Sequence, residues 1–366
     1  MTKKYKVTIE TKKVKDKTVS RIQALTDIEA HGVKKGDLGG WVDTPYNLSQ
    51  QGDAWIGGDA VVMDYANVSG DALVTDNALV SEEAYIADNV LIKDMSTVMG
   101  SVKVVGNARV QGKASVSGNV YVADNAIICD DAEIQDDAII RGNATIEGKA
   151  RVEGWAKVHD RAVIKGNATV MDKATVSGSA WVADSAHVKD SARVYVNACV
   201  FHNAIIKDHG RVSGEATVSG TSVVEGNAHV YAQGSVRGSS VISGDAKVRG
   251  NATLRSAHVS GEAVISGETI LDKNVHVKGN IWLRDEISLY ADSELVIENA
   301  KDIIIFKNNW SSGRYFYYLF NYKRWFVGCF EGTSEELVEK AYADSELSGD
   351  MYKLYTELVE KMEASR

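Results

Sequence analysis

The chain has 366 residues, of which 44% are hydrophobic and 25% are charged, and its formal net charge is −9. No apolar run is long enough to span a bilayer and no signal-peptide pattern follows Met1, so we expect a cytoplasmic protein without membrane contact. Cys129, Cys199 and Cys329 lie far apart without metal-site spacing, which indicates a reducing compartment, and we expect neither a metal nor a cofactor.

Residues 1–50 are predicted to form a small N-terminal β cap. Residues 6–10 alternate as a strand, and residues 20–25 pair with them. A turn-rich stretch with four glycines then leads toward Pro45, the only proline of the chain. A single proline suits a fold in which nearly every later backbone N–H is used in a ladder.

A six-residue repeat dominates the middle of the chain. From Ile56 to Leu254 every sixth residue is Val, Ile or Leu, at 34 positions without a break. Successive side chains of an extended segment alternate faces, so these residues share one face with the Ala that usually stands two places earlier. The intervening Gly, Asp or Asn tolerates a corner. The repeat predicts an all-β solenoid of stacked parallel strands over residues 51–297.

The repeat slips once near its end. One residue is missing after Leu254. The next inward members are expected at Val259, Ile265, Leu271, Val277, Leu283, Leu289 and Leu295.

Residues 298–366 are predicted to form a small α+β domain, because they hold 14 of the chain's 28 aromatic residues. Residues 303–306 read as a strand, and residues 314–320 and 324–330 as a hairpin. A capping box at Thr333 opens a helix of about ten residues. A second helix is expected after Gly349, and its apolar face is predicted to consist of Met351, Leu354, Tyr355, Leu358 and Met362.

Three segments resemble known proteins. The repeat around Gly106-Asn107-Ala108 resembles the hexapeptide repeat of left-handed β-helices, which implies a left-handed parallel β-helix. Residues 36–42, with 47–50 and 52–56, are similar to the opening segment of YdcK-like proteins, which are bacterial and phage-borne hexapeptide-repeat proteins generally labelled as transferases. Residues 310–316 and 325–333 resemble a module behind such repeats in prophage proteins of Gram-positive bacteria.

The favoured function is that of a non-enzymatic scaffold or binding protein that presents its ends to a protein partner. The prophage resemblance implies a host factor as partner, including a host-defence component. Interfaces favour exposed Tyr, Trp and Arg. The candidate binding residues are therefore Trp310, Arg314, Tyr315, Tyr317, Trp325 and Cys329. The alternative for these residues is the core of a small domain.

Enzymatic alternatives depend on histidines. Hexapeptide acyltransferases that use acetyl-CoA resemble the repeat and need a general base, for which His202 is the best single candidate. The unbroken repeat predicts no loop leaving the coils. His258 and His276 are separated by one full turn of three repeat units and are expected to stack. Zinc chemistry of the γ-carbonic-anhydrase kind needs three histidines, and no third one joins this pair.

Charge is spread unevenly. Residues 51–100 carry one basic residue against nine acids. Their corner acids Asp53, Asp59, Asp71 and Asp88 are either ordinary turn residues or an anionic patch. The second possibility makes the chain an acidic DNA mimic that inhibits a DNA-binding protein, while direct nucleic-acid binding is not expected. Stacked apolar residues such as Leu73 and Leu91 favour side-by-side association into a homotrimer.

Overall fold

The computed structural model describes residues 3–291 and 293–366, and the chain divides into two compact units, residues 1–221 and 222–366. The first unit opens with an antiparallel hairpin of β1 (Tyr5–Val14) and β2 (Lys17–Ala24), as predicted. After a short 3-10 turn at Glu29–His31, β3 (Leu38–Val42) pairs with β2 on one side and in parallel with Val61–Val62 on the other. The cap thus supplies the first strand of a parallel ladder.

Short strands then recur every six residues and form three parallel ladders in the first unit, after a second 3-10 turn at Pro45–Asn47. The first ladder consists of Trp55–Ile56, Leu73–Val74, Leu91–Ile92, Arg109–Val110, Ile127–Ile128, Thr145–Ile146, Val163–Ile164, Trp181–Val182, Cys199–Val200 and Thr217–Val218. The second continues from β3 with Val61–Val62, Leu79–Val80, Thr97–Gly100, Ser115–Gly118, Glu133–Ile134, Arg151–Val152, Thr169–Val170, His187–Val188 and Ile205–Ile206. The third consists of Asn67–Val68, Tyr85–Ile86, Lys103–Val104, Tyr121–Val122, Ile139–Ile140, Lys157–Val158, Thr175–Val176, Arg193–Val194 and Arg211–Val212. Their outward sides are called the first, second and third face.

The second unit contains three ladders of the same kind. One consists of Ser235–Arg237, Thr253–Arg255, Ile270–Leu271 and Ser288–Leu289. Another consists of Val223–Val224, Val241–Ile242, His258–Val259, Val275–Val277 and Leu295–Ile297. The last consists of His229–Val230, Lys247–Val248, Val264–Ile265 and Trp282–Leu283. Counted over both units, the chain has a parallel β-solenoid of about 14 turns, as the repeat predicted; its handedness stays a prediction.

The inward positions of the repeat form the core. Every sixth residue from Ile56 to Leu254 is fully buried, including Val110, Val152 and Val218. The Ala residues two places earlier are buried as well, as at Ala144. The burial confirms the inward assignment made from the period of six.

Hydrogen bonds between coils determine how the corners are built. The backbone N–H of Val61 donates to Ala78 O at 2.9 Å, and that of Met63 donates to Val80 O at 3.0 Å. The same sequence separation between donor and acceptor recurs along the repeat. From Ile56 to Leu254, the second residue after each inward position has a positive φ, usually as Gly or Asp, as at Gly142 (74°) and Asp136 (60°). These left-handed residues turn the chain into the next ladder.

The predicted slip is confirmed within the second unit, where Val241 pairs with His258, one position short of the usual register. A second irregularity was not predicted. Val277 pairs with Ile297 and Val275 with Leu295, so the last turn is longer than the others. Leu295 is buried as expected, but Ile297 occupies the register position of the inward series. Extra residues in the last turn were invisible to a strict count of six.

The C-terminal part of the second unit is a four-stranded antiparallel sheet with two helices. After a 3-10 turn at Ala300–Asp302, its strands are Ile303–Lys307, Tyr315–Leu319, Arg324–Val327 and Phe330–Gly332. Helix α1 (Ser334–Asp344) starts at the predicted capping box, in which Glu336 N donates to Thr333 Oγ1 at 3.3 Å. Among the described residues, neither helix combines the length and apolarity needed to cross a membrane.

The second helix starts earlier than predicted. Helix α2 spans Glu346–Ala364, with Ser345 as its N-cap, so Gly349 lies inside it. A Cβ at this position would lie only 2.1 Å from the ring of Tyr342. The glycine therefore allows α1 and α2 to approach closely, and it does not start a helix.

A buried charge on an inward position should destabilise the solenoid. Val152→Asp places a carboxylate among fully buried neighbours, which costs several kcal/mol. Arg151→Ala is the adjacent control, because it removes only surface ion pairs to Glu133 and Glu153, worth about 0–1 kcal/mol. We expect thermal unfolding followed by circular dichroism to show a much lower Tm for Val152→Asp alone. Equal Tm values for the two variants would contradict the inward assignment.

Candidate functional site

The four predicted acidic residues lie exposed at corners of the first coils. The backbone N–H of Asp53 donates to Asp71 Oδ1 at 3.1 Å, and that of Asp71 donates to Asp88 O at 2.8 Å, so these three follow one corner. Asp59 lies on a different corner, where its Oδ1 accepts a hydrogen bond from Trp41 Nε1 at 3.2 Å. The structure therefore brings three of the four candidates together.

A buried lysine of the cap explains part of this acidic cluster. Lys4 Nζ donates to Gly52 O at 3.0 Å and to Ala54 O at 2.8 Å. Burial lowers the pKa of Lys4 to about 8, while the carboxylates of Asp53 and Asp71 act in the opposite direction. These two carboxylates favour the charged form of the partly desolvated lysine. The contact joins parts of the chain that are distant in sequence, and local sequence patterns carry no signal for it.

Carboxylates at left-handed corners have a general structural role. Asp88 Oδ2 accepts a hydrogen bond from Gly106 N at 2.9 Å, one coil further on. Equivalent bonds join Asp124 to Gly142 at 2.9 Å and Asp136 to Gly154 at 2.9 Å. The corner acids thus bind backbone N–H groups that the strands leave free. This favours the turn-residue interpretation of the acidic corners over the DNA-mimic one.

An asparagine ladder stabilises one of the corners. The side-chain amide of Asn89 donates to Asn107 at 3.1 Å, Asn107 donates to Asn125 at 3.0 Å, and Asn125 donates to Asn143 at 3.0 Å. Each asparagine stands one full turn after the previous one, so the same side chain recurs in successive coils. The ladder satisfies amide groups at the surface and is a structural feature.

The histidines do not assemble a catalytic group among the described residues. The backbone N–H of His202 donates to Asp184 Oδ2 at 3.0 Å, and its imidazole packs edge-on against Phe201 at 4.7 Å. Across residues 3–291 and 293–366, no hydrogen bond orients that imidazole as a base, and no three His, Cys, Asp or Glu side chains could hold a metal ion.

The predicted stack of His258 on His276 is present. The ring centroids lie 4.4 Å apart, and His276 Nδ1 lies 3.4 Å from Glu294 Oε1. Burial, together with the neighbouring His276, lowers the pKa of His258. The lowered pKa favours the neutral form of the His258 imidazole. It remains a surface pair beside one carboxylate.

Two of the predicted binding residues, Trp325 and Tyr317, are buried in the core of the C-terminal sheet and helices. Trp325 is fully buried in a cluster with Phe316 and Tyr352, and its Nε1 donates to Ser334 Oγ at 3.0 Å. Tyr317 is buried too, and its hydroxyl donates to Ser288 O at 2.9 Å, which attaches the sheet to a solenoid strand. Their burial favours the core interpretation for both.

The other candidates are more accessible. Arg314 and Cys329 are exposed, and Tyr315 is half-buried. Arg314 and Tyr315 line a small groove of about 170 Å³ together with Asn308 and Tyr352. Trp310 is half-buried and stacks on Tyr355 at 5.5 Å. The structure therefore groups Arg314 and Tyr315, while Trp310 mainly stabilises the packing of α2.

An exposed apolar stripe on α2 was missed. The predicted face divides in two, because Tyr355 and Met362 pack on the core while Leu354 and Leu358 point to solvent. With Leu347 and the half-buried Met351, the exposed leucines form the α2 stripe, in which the successive spacings are four, three and four. Their exposures are 59% (Leu347), 60% (Leu354) and 45% (Leu358). The buried set of Tyr352, Thr356 and Val359 was not recognised, because both faces of the helix are partly apolar.

Comparison with known proteins adds no functional assignment. No protein-family model matches the chain, and no curated protein matches it significantly.

The hydrogen bond to a corner carboxylate predicts a pH-dependent stability. The pKa of Asp160 is lowered, first by the backbone N–H of Gly178, which donates at 3.0 Å, and next by His159. A carboxylate whose folded-state pKa is lowered stabilises the fold above its unfolded pKa of about 3.9, and that contribution disappears as the pH falls through the folded value. We expect Asp160→Asn to have a lower Tm than wild type at about pH 5.5, and the difference to shrink below about pH 4.

Asp131→Asn is the matched control, because within the described residues the Asp131 carboxylate accepts no hydrogen bond. Calorimetry between about pH 5.5 and about pH 3 stays below the ordinary pKa of histidine, about 6.5, so the carboxylates dominate the titration. A Tm difference that does not change over this range would contradict the assigned role of Asp160.

Proposed function

We propose that this chain is a non-enzymatic binding protein whose C-terminal sheet and helices contact a protein partner. The observation that carries the proposal is the α2 stripe. Three leucines at 45–60% exposure on one helix are costly to leave in water, and aligned apolar residues of this kind mark an interaction surface. The resemblance to YdcK-like and prophage proteins supports a host factor, including a defence component, as the partner.

The stripe favours a helical partner. Its four-three-four spacing is that of the contact seam between two packed helices. The acidic residues Glu346, Asp350 and Glu357 lie exposed on the same helix. A partner helix with an apolar face and basic flanks complements both features. The charges would guide the encounter, and the leucines would supply the buried contact.

The experiment replaces two leucines of the stripe. We expect Leu354→Asp/Leu358→Asp to lose the specific protein that the wild type retains from a host lysate, with an affinity loss above about tenfold for the purified partner. Because both side chains are exposed, the Tm should stay close to that of wild type. Lys353→Asp, on the same helix but outside the stripe, is the control and should retain the partner.

Two other results decide the location and the nature of the partner. If Arg314→Ala abolishes retention and the double leucine variant does not, the contact lies at the Arg314 groove and the α2 stripe is not the site. If the stripe only pairs two copies of this chain, the double variant changes the mass in solution and no other protein is retained. Both results would overturn the stripe proposal.

We also propose that the chain associates as a homotrimer through the first face. Leu73 and Leu91 pair in adjacent strands of this face, and Arg109 in the next strand ends the apolar column, so the proposed contact is limited to the opening coils. Light scattering should give three times the chain mass of 39.6 kDa, and Leu73→Lys/Leu91→Lys should reduce it to one chain. A monomeric wild type at high concentration contradicts this proposal and leaves the α2 proposal untouched.

A further inference from the structure

The third face of the first unit differs from the other two in its charge. From Tyr85 to Ser213 its outward strand positions contain no Asp or Glu. The first face contains Glu147 at such a position, and the second contains Glu133 and Glu153. Cations occur at five outward positions of the third face, namely Lys103, Arg141, Lys157, Arg193 and Arg211. Folding therefore separates charges that are mixed along the sequence.

One column of this face begins with two tyrosines on either side of a lysine and ends with two adjacent arginines. Consecutive strands place Tyr85, Lys103, Tyr121, Ile139, Lys157, Thr175, Arg193 and Arg211 directly beside one another. Neighbouring strands of a sheet lie about 4.8 Å apart, so the column presents a side chain at each such step. Lys103 Nζ lies 5.8 Å from the Tyr85 ring and 6.0 Å from the Tyr121 ring.

A groove lies at the edge of this column. It has a volume of about 510 Å³, and its lining includes Trp155, Lys157, Lys173 and Arg193, together with Asp137 at the corner. Trp155 is 59% exposed, and Lys173 Nζ lies 5.8 Å from its ring. The groove therefore combines an exposed indole with three cations and one carboxylate, an excess of positive charge beside a flat apolar surface.

Stability does not explain this arrangement. Arg193 and Arg211 are direct neighbours in adjacent strands, where like charges destabilise a sheet. In the part of the chain that the structure describes, no carboxylate lies within 4.0 Å of the charged groups of Lys157, Arg193 or Arg211. The acids of the adjoining corner already bind other groups, since Asp172 Oδ2 accepts from Asp190 N at 3.0 Å. Lys157, Arg193 and Arg211 are therefore available to an external anion.

We propose that the third face binds single-stranded nucleic acid along the column, with the cations contacting phosphates and the rings of Tyr121 and Trp155 stacking on bases. A cationic track with separate aromatic platforms is the arrangement that single strands require. A duplex offers no free base to the rings. The proposal reverses the expectation drawn from the net charge, because the acids lie at corners and on other faces.

The experiment measures binding of a fluorescent oligothymidine, longer than the roughly 4–16 nucleotides that one such site covers, to the full chain at several salt concentrations. We expect Trp155→Ala to weaken binding about tenfold with an unchanged salt slope, since it removes stacking. Lys157→Ala and Arg193→Ala should each reduce the slope of log K against log salt by about 0.7, since each removes one phosphate contact.

The matched controls are Trp181→Ala and Lys165→Ala on the first face, where Lys165 Nζ lies 4.1 Å from the exposed Trp181 ring. Both should bind like wild type. Each of three results would overturn the proposal: no binding at low salt, equal effects of Trp155→Ala and Trp181→Ala, or a duplex or an anionic polysaccharide binding as tightly as the oligothymidine. Since Trp155 is exposed, an unchanged Tm shows that a loss of binding is not a loss of folding.

Discussion

The structure depends on backbone hydrogen bonding between successive coils. Each strand donates to the carbonyls of the coil that follows, as from Thr145 N to Ala162 O at 2.9 Å. This register requires turns of nearly constant length, so every six-residue unit must change direction at the same place. That change of direction uses a residue with a positive φ, and Gly and Asp occupy the corner because they adopt this conformation at low cost. Because neighbouring coils supply each other's partners, the buried Val and Ile positions repeat with the same period.

The part of the fold that obeys this period could be predicted from sequence. The inward residues from Ile56 to Leu254 and the slip after Leu254 can be found by counting in sixes. Only one face of each strand is buried, and the alternation of side chains along the strand shows which residues lie on that face. The pairing of Val277 with Ile297 could not be counted, since the last turn contains extra residues. Helix α2 was harder still. Both of its sides carry apolar residues, and only the position of α1 against Gly349 determines which side is covered.

The candidate sites were less predictable than the fold because function depends on which residues share a face. Along the sequence, Lys157 and Arg193 are far apart and stand among acids such as Glu147 and Asp160. In the folded chain the repeat places them two strands apart in one column, while the acids lie on another face or at a corner. The net charge, and the charge summed over a stretch of sequence, both mix residues that the fold places on different faces. The same averaging made the first coils look like an anionic patch, although carboxylates such as Asp88 bind backbone N–H groups.

A solenoid separates the demands of stability from those of binding. Inward positions and left-handed corners are fixed by the ladder, so Val152 or Gly142 leaves little choice of residue. Outward strand positions contribute little to the coil itself, and each coil bonds only to its neighbours. The ladder does not require a large apolar side chain at the Trp155 corner or at Leu354 on α2, so the exposure of these side chains to water needs a reason other than folding.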